Sequence, residues 1–129
     1  MINKVVMVVD DESDMLTLLE LMLKGRGLVV MKAPDADRAL HLVKSLTPNL
    51  FILDILMPGM NGYELCQQLR ANSNTADTPV IMFSVLDNPR AKKKALESGA
   101  NVFVTKTNLT GQLIDEVCGL LNQKATSPL

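Results

Sequence analysis

The sequence predicts an α/β protein whose five parallel strands form one sheet with helices on both faces. Short apolar runs alternate five times with longer amphipathic segments along the 129 residues, the order typical of repeated strand–helix units. The runs at 5–9 and 50–53 contain no alternating polar residues, which indicates strands covered on both faces. We therefore expect a single doubly wound domain with right-handed crossovers.

Three of the predicted strands lie in the first half of the chain, at 5–9, 28–31 and 50–54. The helix after the first strand has an apolar stripe at helical spacing and ends at Gly25 and Gly27. The residues of that stripe are Met15, Leu18, Leu19 and Met22. The helix after the second strand begins at Pro34-Asp35 and ends before Thr47-Pro48. Its apolar residues are Ala36, Ala39, Leu40 and Val43.

The second half of the chain supplies strands at 79–83 and 102–104 and three further helices. Asn61-Gly62 begin the third helix, and Asn88-Pro89 cap the fourth, with proline at its first position. The basic run 92–94 in the fourth helix is typical of a solvated face, with partner docking as the alternative. The apolar residues of the three helices are Leu65, Cys66 and Leu69; Ala91, Ala95 and Leu96; and Leu113, Ile114, Val117, Cys118 and Leu121.

The domain is expected to span residues 1–122. Residues 123–129 are polar and small and include Ser127-Pro128, which is typical of a frayed end. We therefore interpret 123–129 as a flexible tail or the start of a linker.

Residues that can carry chemistry follow four of the predicted strands. Asp10 and Asp11 follow the first strand, Asp54 ends the third, Ser84 follows the fourth, and Lys106 comes shortly after the fifth. The carboxyl ends of parallel strands meet at one edge of a sheet, which is where ligands bind in open α/β folds. We therefore expect these side chains to form one site.

Three carboxylates at one edge favour a bound cation. Two charges ~4 Å apart repel by about 4 kcal/mol at an effective dielectric constant of about 20, and oxygen ligands without nearby His or Cys favour Mg²⁺ over Zn²⁺. A carboxylate nucleophile, a metal ion, a lysine and a hydroxyl are the groups that phosphoryl transfer needs. Asp10 and Asp11 alone would more simply mark a helix start; their combination with Asp54 and Lys106 favours a site.

Composition argues against several other classes of function. The net charge of −1 gives no electrostatic basis for binding nucleic acid, and one Tyr, three Phe and no Trp leave no platform for base stacking. The apolar runs are too short to cross a bilayer, and the N-terminal residues do not resemble a signal peptide. Cys66 and Cys118 occur at helix-core spacing, so we interpret them as reduced, buried thiols of a cytoplasmic protein.

Together these segments resemble a receiver domain of two-component response regulators, similar to the single-domain chemotaxis regulator. The resemblance covers nearly the whole chain and rests on the segments VVDDE, ILDILMPGMNG, TPVIMFS and SGANVFVTK, in that order. It implies a flavodoxin-like fold with the strand order 2-1-3-4-5.

The resemblance also implies a role for each residue of the site. Asp54 resembles the phosphoacceptor; Asp11, Asp54 and the backbone carbonyl of Leu56 resemble the Mg²⁺ ligands, with Asp10 acting indirectly or from a second shell. Lys106 resembles the ion-pairing lysine, and Ser84 the switch hydroxyl that turns towards the phosphoryl group. Phe103 resembles the rotating aromatic switch, and is interpreted equally well as a core residue.

The sequence departs from the family pattern in three places. Thr107 follows Lys106 where the family usually has proline, often after a cis bond; a non-proline cis bond costs roughly 2.5–4 kcal/mol, so we expect a trans bond or a shifted loop. Leu56 and Leu86 occupy the positions that tune the attacking water in dephosphorylation. They offer this water no hydrogen bond, so we expect a long-lived phosphoryl group. Phe103 replaces the commoner Tyr.

The resemblance implies a signalling switch that catalyses only its own phosphotransfer and slow dephosphorylation. Its expected partners are a sensor histidine kinase or phosphotransfer protein, and a downstream protein or fused output domain. The downstream partner, or a second copy in a homodimer, would bind the face formed by the fourth helix, fifth strand and fifth helix. No direct contact with nucleic acid or membrane is expected.

Two rival functions were compared with this switch. A phosphatase of the haloacid dehalogenase type would need a second Asp two residues after the nucleophile, where Leu56 stands. A receiver-like interaction module that works without phosphorylation is the alternative, and the replacement of proline by Thr107 keeps it open.

Overall fold

The computed structural model describes residues 4–107 and 111–125 and shows one parallel sheet in the strand order 2-1-3-4-5. The strands are β1 (Val5–Val9), β2 (Val29–Ala33), β3 (Leu50–Leu53), β4 (Val80–Ser84) and β5 (Val102–Thr105). Each adjacent pair is parallel. The predicted fold class and strand order are therefore confirmed, with strand bounds that differ from the predicted ones by one or two residues.

Five helices connect or follow the strands: α1 (Ser13–Lys24), α2 (Ala36–Leu42), α3 (Gly62–Ala71), α4 (Pro89–Glu97) and α5 (Gly111–Ala125). Asp35, Asn61 and Asn88 cap α2, α3 and α4 by accepting a hydrogen bond from the third backbone N–H of each helix. No helix in the described ranges is long and apolar enough to cross a membrane. Helix α5 reaches Ala125, into the segment expected to be a tail, and residues 126–129 lie outside the described part of the chain.

Two hydrophobic cores lie on opposite faces of the sheet, because successive side chains of a strand point to opposite faces. Met7 and Phe51 pack with α2, α3 and α4 on one face, whereas Val6 and Ile52 pack with α1 and α5 on the other. Every residue of β3 and β4 is buried. This double coverage explains why these strands are continuously apolar.

The buried face of α1 differs from the predicted one. Its buried residues are Leu16, Leu19 and Leu23, while the predicted stripe contributes only Leu19, with Met15 and Met22 partly buried. Both stripes have helical spacing and similar hydrophobicity, so sequence periodicity did not distinguish their phase.

The cysteine prediction is correct in part. Cys66 and Cys118 are both free thiols, but only Cys66 is buried, and Cys118 is half-buried. Helix α4 is confirmed as a weakly apolar helix that buries only Ala91 and Ala95.

Candidate functional site

The carboxyl ends of β1, β3, β4 and β5 bring the predicted site residues together. The register pairs Val9 with Leu53, and the Asp54 N–H donates to the Val9 carbonyl at 2.9 Å, so the acids after β1 and β3 are neighbours. On the other side, the Lys106 N–H donates to the Ser84 carbonyl at 2.8 Å. The sheet therefore fixes the backbone of the site before any side chain is considered.

Three carboxylates form the centre of the site. Asp10, Asp11 and Asp54 each place a ligand oxygen within 4.8 Å of the others. Asp10 and Asp54 are 2% and 4% exposed, whereas Asp11 is exposed and opens the cluster to solvent. Oxygen donors alone, with excess negative charge and one open side, suit a hard divalent cation such as Mg²⁺. The predicted contribution of the Leu56 carbonyl stays a prediction.

Lys106 supplies the positive charge that faces these acids. Its Nζ atom lies 2.8 Å from Asp10 Oδ2, 3.3 Å from Asp54 Oδ2 and 3.5 Å from Glu12 Oε1. Burial disfavours the ammonium form, but the hydrogen bond to Asp10 and the charge of Asp54 outweigh burial and raise the pKa of Lys106. The predicted ion-pairing lysine is therefore in contact with both buried acids.

Asp54 is held in an unusual electrostatic state. Burial, together with the negative charge of Asp10, raises the pKa of Asp54 from its ordinary 3.8 to about 6, against the lowering effect of Lys106. The Leu56 N–H also donates to Asp54 Oδ1 at 3.4 Å. One lysine thus does not neutralise the acids, and a cation at the cluster would favour the ionised carboxylate that a nucleophile requires.

Ser84 and Phe103 are both buried. Ser84 is fully enclosed, and its Oγ accepts a hydrogen bond from the Leu86 N–H at 3.4 Å. Phe103 belongs to the core on the α2–α3–α4 face and also borders a groove of about 520 Å³ next to α4. Its core interpretation is confirmed in this conformation, and the switching roles of both residues stay predictions.

The residues that depart from the family pattern all lie around the site. The Lys106–Thr107 peptide bond is trans, as expected, and every other described peptide bond is trans as well. Lys106 nevertheless reaches Asp10 and Asp54, so threonine at this position does not displace the lysine. Leu56 is 50% exposed, and it borders a cavity of about 510 Å³ together with Leu86.

Three features of the site were not found from the sequence. Glu12 was recognised only as part of an acidic helix start, yet it is the third carboxylate of Lys106. The Phe83 ring lies 5.9 Å from Lys106 Nζ. A Cβ atom on Gly62 would overlap the backbone oxygen of Asp54 and lie 2.8 Å from the Ile55 Cα, so glycine lets α3 begin directly against the phosphoacceptor loop.

Comparisons with known proteins agree with this geometry. Residues 6–118 match the family model of the response regulator receiver domain. The DNA-binding response regulator MtrA of Mycolicibacterium smegmatis is 32% identical over 123 residues, which are 95% of this chain and 53% of that protein. The chain therefore spans about half the length of this relative.

Solved structures show the same likeness. The receiver domain of the Francisella response regulator 1452 superposes with a TM-score of 0.85 at 28% identity, over 95% of this chain and 99% of that one. The BeF3-activated N-terminal receiver domain of Klebsiella pneumoniae RstA also gives 0.85 at 28% identity, over 92% and 98%.

Proposed function

The chain belongs to the receiver domain family of two-component response regulators, and we propose that Asp54 is its phosphoacceptor. Asp54 is the buried carboxylate that contacts both the lysine and the acidic cluster. That single arrangement carries the proposal, because a nucleophilic carboxylate for phosphoryl transfer needs cations on both sides of the incoming oxygens.

The reaction follows from the positions of the side chains. An oxygen of the Asp54 carboxylate attacks the phosphorus of a phosphohistidine; the P–N bond breaks, the P–O bond forms, and the imidazole leaves with the electron pair. Lys106 is within reach of the added oxygens because it already contacts Asp54. Asp10 and Asp11, with Asp54 and the Leu56 carbonyl, would hold Mg²⁺, which when bound offsets the negative charge of the phosphoryl oxygens.

Phosphorylation would be transmitted through Ser84 and Phe103. A phosphoryl group on Asp54 offers acceptor oxygens at the end of β3, and the Ser84 hydroxyl, held at the end of neighbouring β4, would donate to them. The space Ser84 leaves would favour another position of Phe103, and so alter the face formed by α4, β5 and α5. Helix α4 buries only two alanines, which suits an element that moves.

Leu56 and Leu86 would prolong the phosphorylated state. Neither side chain can orient a water molecule for attack on the acyl phosphate, and both border the cavity beside Asp54. We infer a slow loss of the phosphoryl group, with no further catalytic activity.

The partners follow from the family and from the chemistry of the donor. We infer a sensor histidine kinase or a phosphotransfer protein as donor, and a downstream protein, a fused output domain or a second copy at the α4–β5–α5 face. The two free thiols suit a cytoplasmic protein. The name of MtrA as DNA-binding counts against the expectation of no nucleic acid for a longer protein; for these residues, any DNA contact would belong to a fused output domain.

A phosphoryl mimic tests this proposal. Beryllofluoride added with Mg²⁺ should give a bound ¹⁹F NMR signal and shift the amide signals of Ser84 and Phe103. Asp54→Asn should lose both effects, whereas Asp77→Asn, at an exposed loop position, should keep them. Binding that survives Asp54→Asn would contradict the assignment, and so would a bound mimic that leaves Ser84 and Phe103 unchanged. Loss of the ¹⁹F signal in the native protein would favour the unphosphorylated interaction module.

A further inference from the structure

Helix α4 concentrates positive charge in an otherwise acidic chain. Four of the 13 Lys and Arg residues occupy positions 90–94, while the whole chain has a net charge of −1. Arg90, Lys92, Lys93 and Lys94 are all exposed, and Glu97 is the only acid of the helix. The first turn of α4 contains no acid, although acids there would be favoured by the helix dipole.

These charges are not neutralised within the described part of the chain. No carboxylate of residues 4–107 or 111–122 lies within 4.0 Å of Arg90, Lys92 or Lys93, whereas Lys24, Lys32 and Lys106 each have such a partner. Lys94 lies 4.8 Å from the centre of the Tyr63 ring. Charge complementarity is therefore left to a partner at Lys92 and Lys93.

Basic and apolar groups share one side of α4. Leu96 is 49% exposed and follows Lys92 and Lys93 by four and three residues, so the three side chains are neighbours on the helix surface. Lys92 also borders the groove of about 520 Å³ that contains Phe103. We call Lys92, Lys93 and Leu96, with the Phe103 groove, the α4 docking face.

We propose that the α4 docking face binds a short acidic segment of a partner protein that carries an apolar residue among its carboxylates. The lysines would pair with the carboxylates, and the apolar residue would cover Leu96 or enter the groove. The ends of the face favour a short segment, because exposed Asp87 and Glu97 lie on either side of the basic run and would repel a longer polyanion.

Nucleic acid and membrane fit this face less well. Helix α4 has nine residues, or about 13 Å, and the groove carries one aromatic ring, Phe103, which is buried and offers little surface for base stacking. Lys92 and Lys93 are only two charges around an exposed leucine, fewer than the clusters of basic residues that bind anionic lipid.

Phosphorylation would regulate this face, and that part of the inference rests on the proposed function. Phe103 lines the groove and belongs to the core behind it, so a new position of its ring would change the shape of the groove. Binding of the acidic segment itself needs no phosphoryl group, because the lysines and Leu96 are exposed in the present conformation.

The full chain can be tested with defined peptides. The probe is a fluorescein-labelled peptide of Glu residues around one Leu and one Phe, and the reference peptide has Lys in place of every Glu. Fluorescence anisotropy should show binding of the Glu peptide alone. Lys92→Gln/Lys93→Gln should weaken it about tenfold; Leu96→Ser should weaken it as well.

The matched control is Arg38→Gln/Lys44→Gln, which removes the same charge from exposed positions around α2 and should leave binding unchanged. Equal weakening by both double variants, or no binding of the Glu peptide, would overturn the proposal. Tighter binding of anionic vesicles or of duplex DNA than of the Glu peptide would also overturn it. Self-association that is lost in Lys92→Gln/Lys93→Gln, without peptide binding, would assign the face to a second copy instead.

The same titration with beryllofluoride and Mg²⁺ separates the two proposals. A change in peptide affinity in the native protein but not in Asp54→Asn supports regulation by Asp54. Peptide binding that never responds, in a protein that takes up no beryllofluoride, contradicts the proposed function and leaves the docking face standing. Uptake of beryllofluoride without peptide binding contradicts the docking face alone.

Discussion

Replacing Asp54 by Asn should stabilise the metal-free protein at pH 8. The substitution keeps the size of the side chain and removes a buried charge that lies in a cluster with Asp10 and Asp11. Lys106 keeps its shorter contact, the 2.8 Å ion pair with Asp10, when the contact with Asp54 is lost. The expected gain therefore comes from relief of repulsion and desolvation at the centre of the site.

The size of the gain follows from the pKa of Asp54. A carboxyl that titrates at about 6 in the folded protein and near 3.8 when unfolded reduces stability by at most about 3 kcal/mol once it is ionised in both states. Solvent reaches the cluster through exposed Asp11 and screens the charges, so we expect about 1–2 kcal/mol.

The gain should depend on pH in a defined direction. Asp54 is protonated in both states below about pH 4, so the carboxyl costs nothing there. The cost grows between about pH 4 and about 6, where the unfolded chain releases its proton first, and is constant above about 6. Raising the pH thus lowers the stability of the native protein relative to Asp54→Asn.

Urea unfolding in EDTA at several pH values measures this difference. Asp77→Asn, at an exposed loop position, is the matched control and should follow the native protein. Mg²⁺ should narrow the gap by stabilising the native protein more than Asp54→Asn. A variant that is no more stable than the native protein at pH 8, or a gap that is the same at pH 4 and pH 8, would refute the electrostatic reasoning.

Three further substitutions test other parts of the account. Gly62→Ala should destabilise the fold by about 2–4 kcal/mol, because its Cβ meets backbone, whereas Gly119→Ala, with open space around it, should stabilise by about 0.5–1 kcal/mol; similar urea midpoints for the two would contradict the close approach. Lys106→Gln should cost about 3 kcal/mol at pH 8 by leaving Asp10 and Asp54 without their cation, and less below about pH 6, where Asp54 gains a proton; a cost independent of pH would argue against that pairing. Leu56→Asn should shorten the phosphoryl lifetime roughly tenfold, as one water hydrogen bond of about 1.4 kcal/mol would do, and Leu56→Ala should not; the decay of ³²P-labelled protein measures both, and equal lifetimes would exclude a water-tuning role.

The sequence predicted the parts of the molecule that depend on strand order. Val5–Val9 and Leu50–Leu53 end in acids, and once strands are parallel their ends must meet, so Asp10 and Asp54 were placed correctly without coordinates. Lys106 was found for the same reason, because it follows β5 directly.

Features that depend on tertiary approach were not predictable in the same way. The pairing of Glu12 with Lys106 depends on the rotamers of two long side chains, which no spacing rule specifies. The contact of Gly62 with the Asp54 backbone depends on where the loop returns to the sheet. The phase of α1 depends on which of two apolar stripes meets β1 and β2.

The most direct test of the account is the intact mass of the protein after incubation with acetyl phosphate and Mg²⁺. We predict a gain of one phosphoryl group, about 80 Da, in the native protein and in Asp77→Asn, and its loss in Asp54→Asn and in EDTA. No adduct in the native protein, or an adduct that persists in Asp54→Asn, would contradict the assignment of Asp54 as the phosphoacceptor.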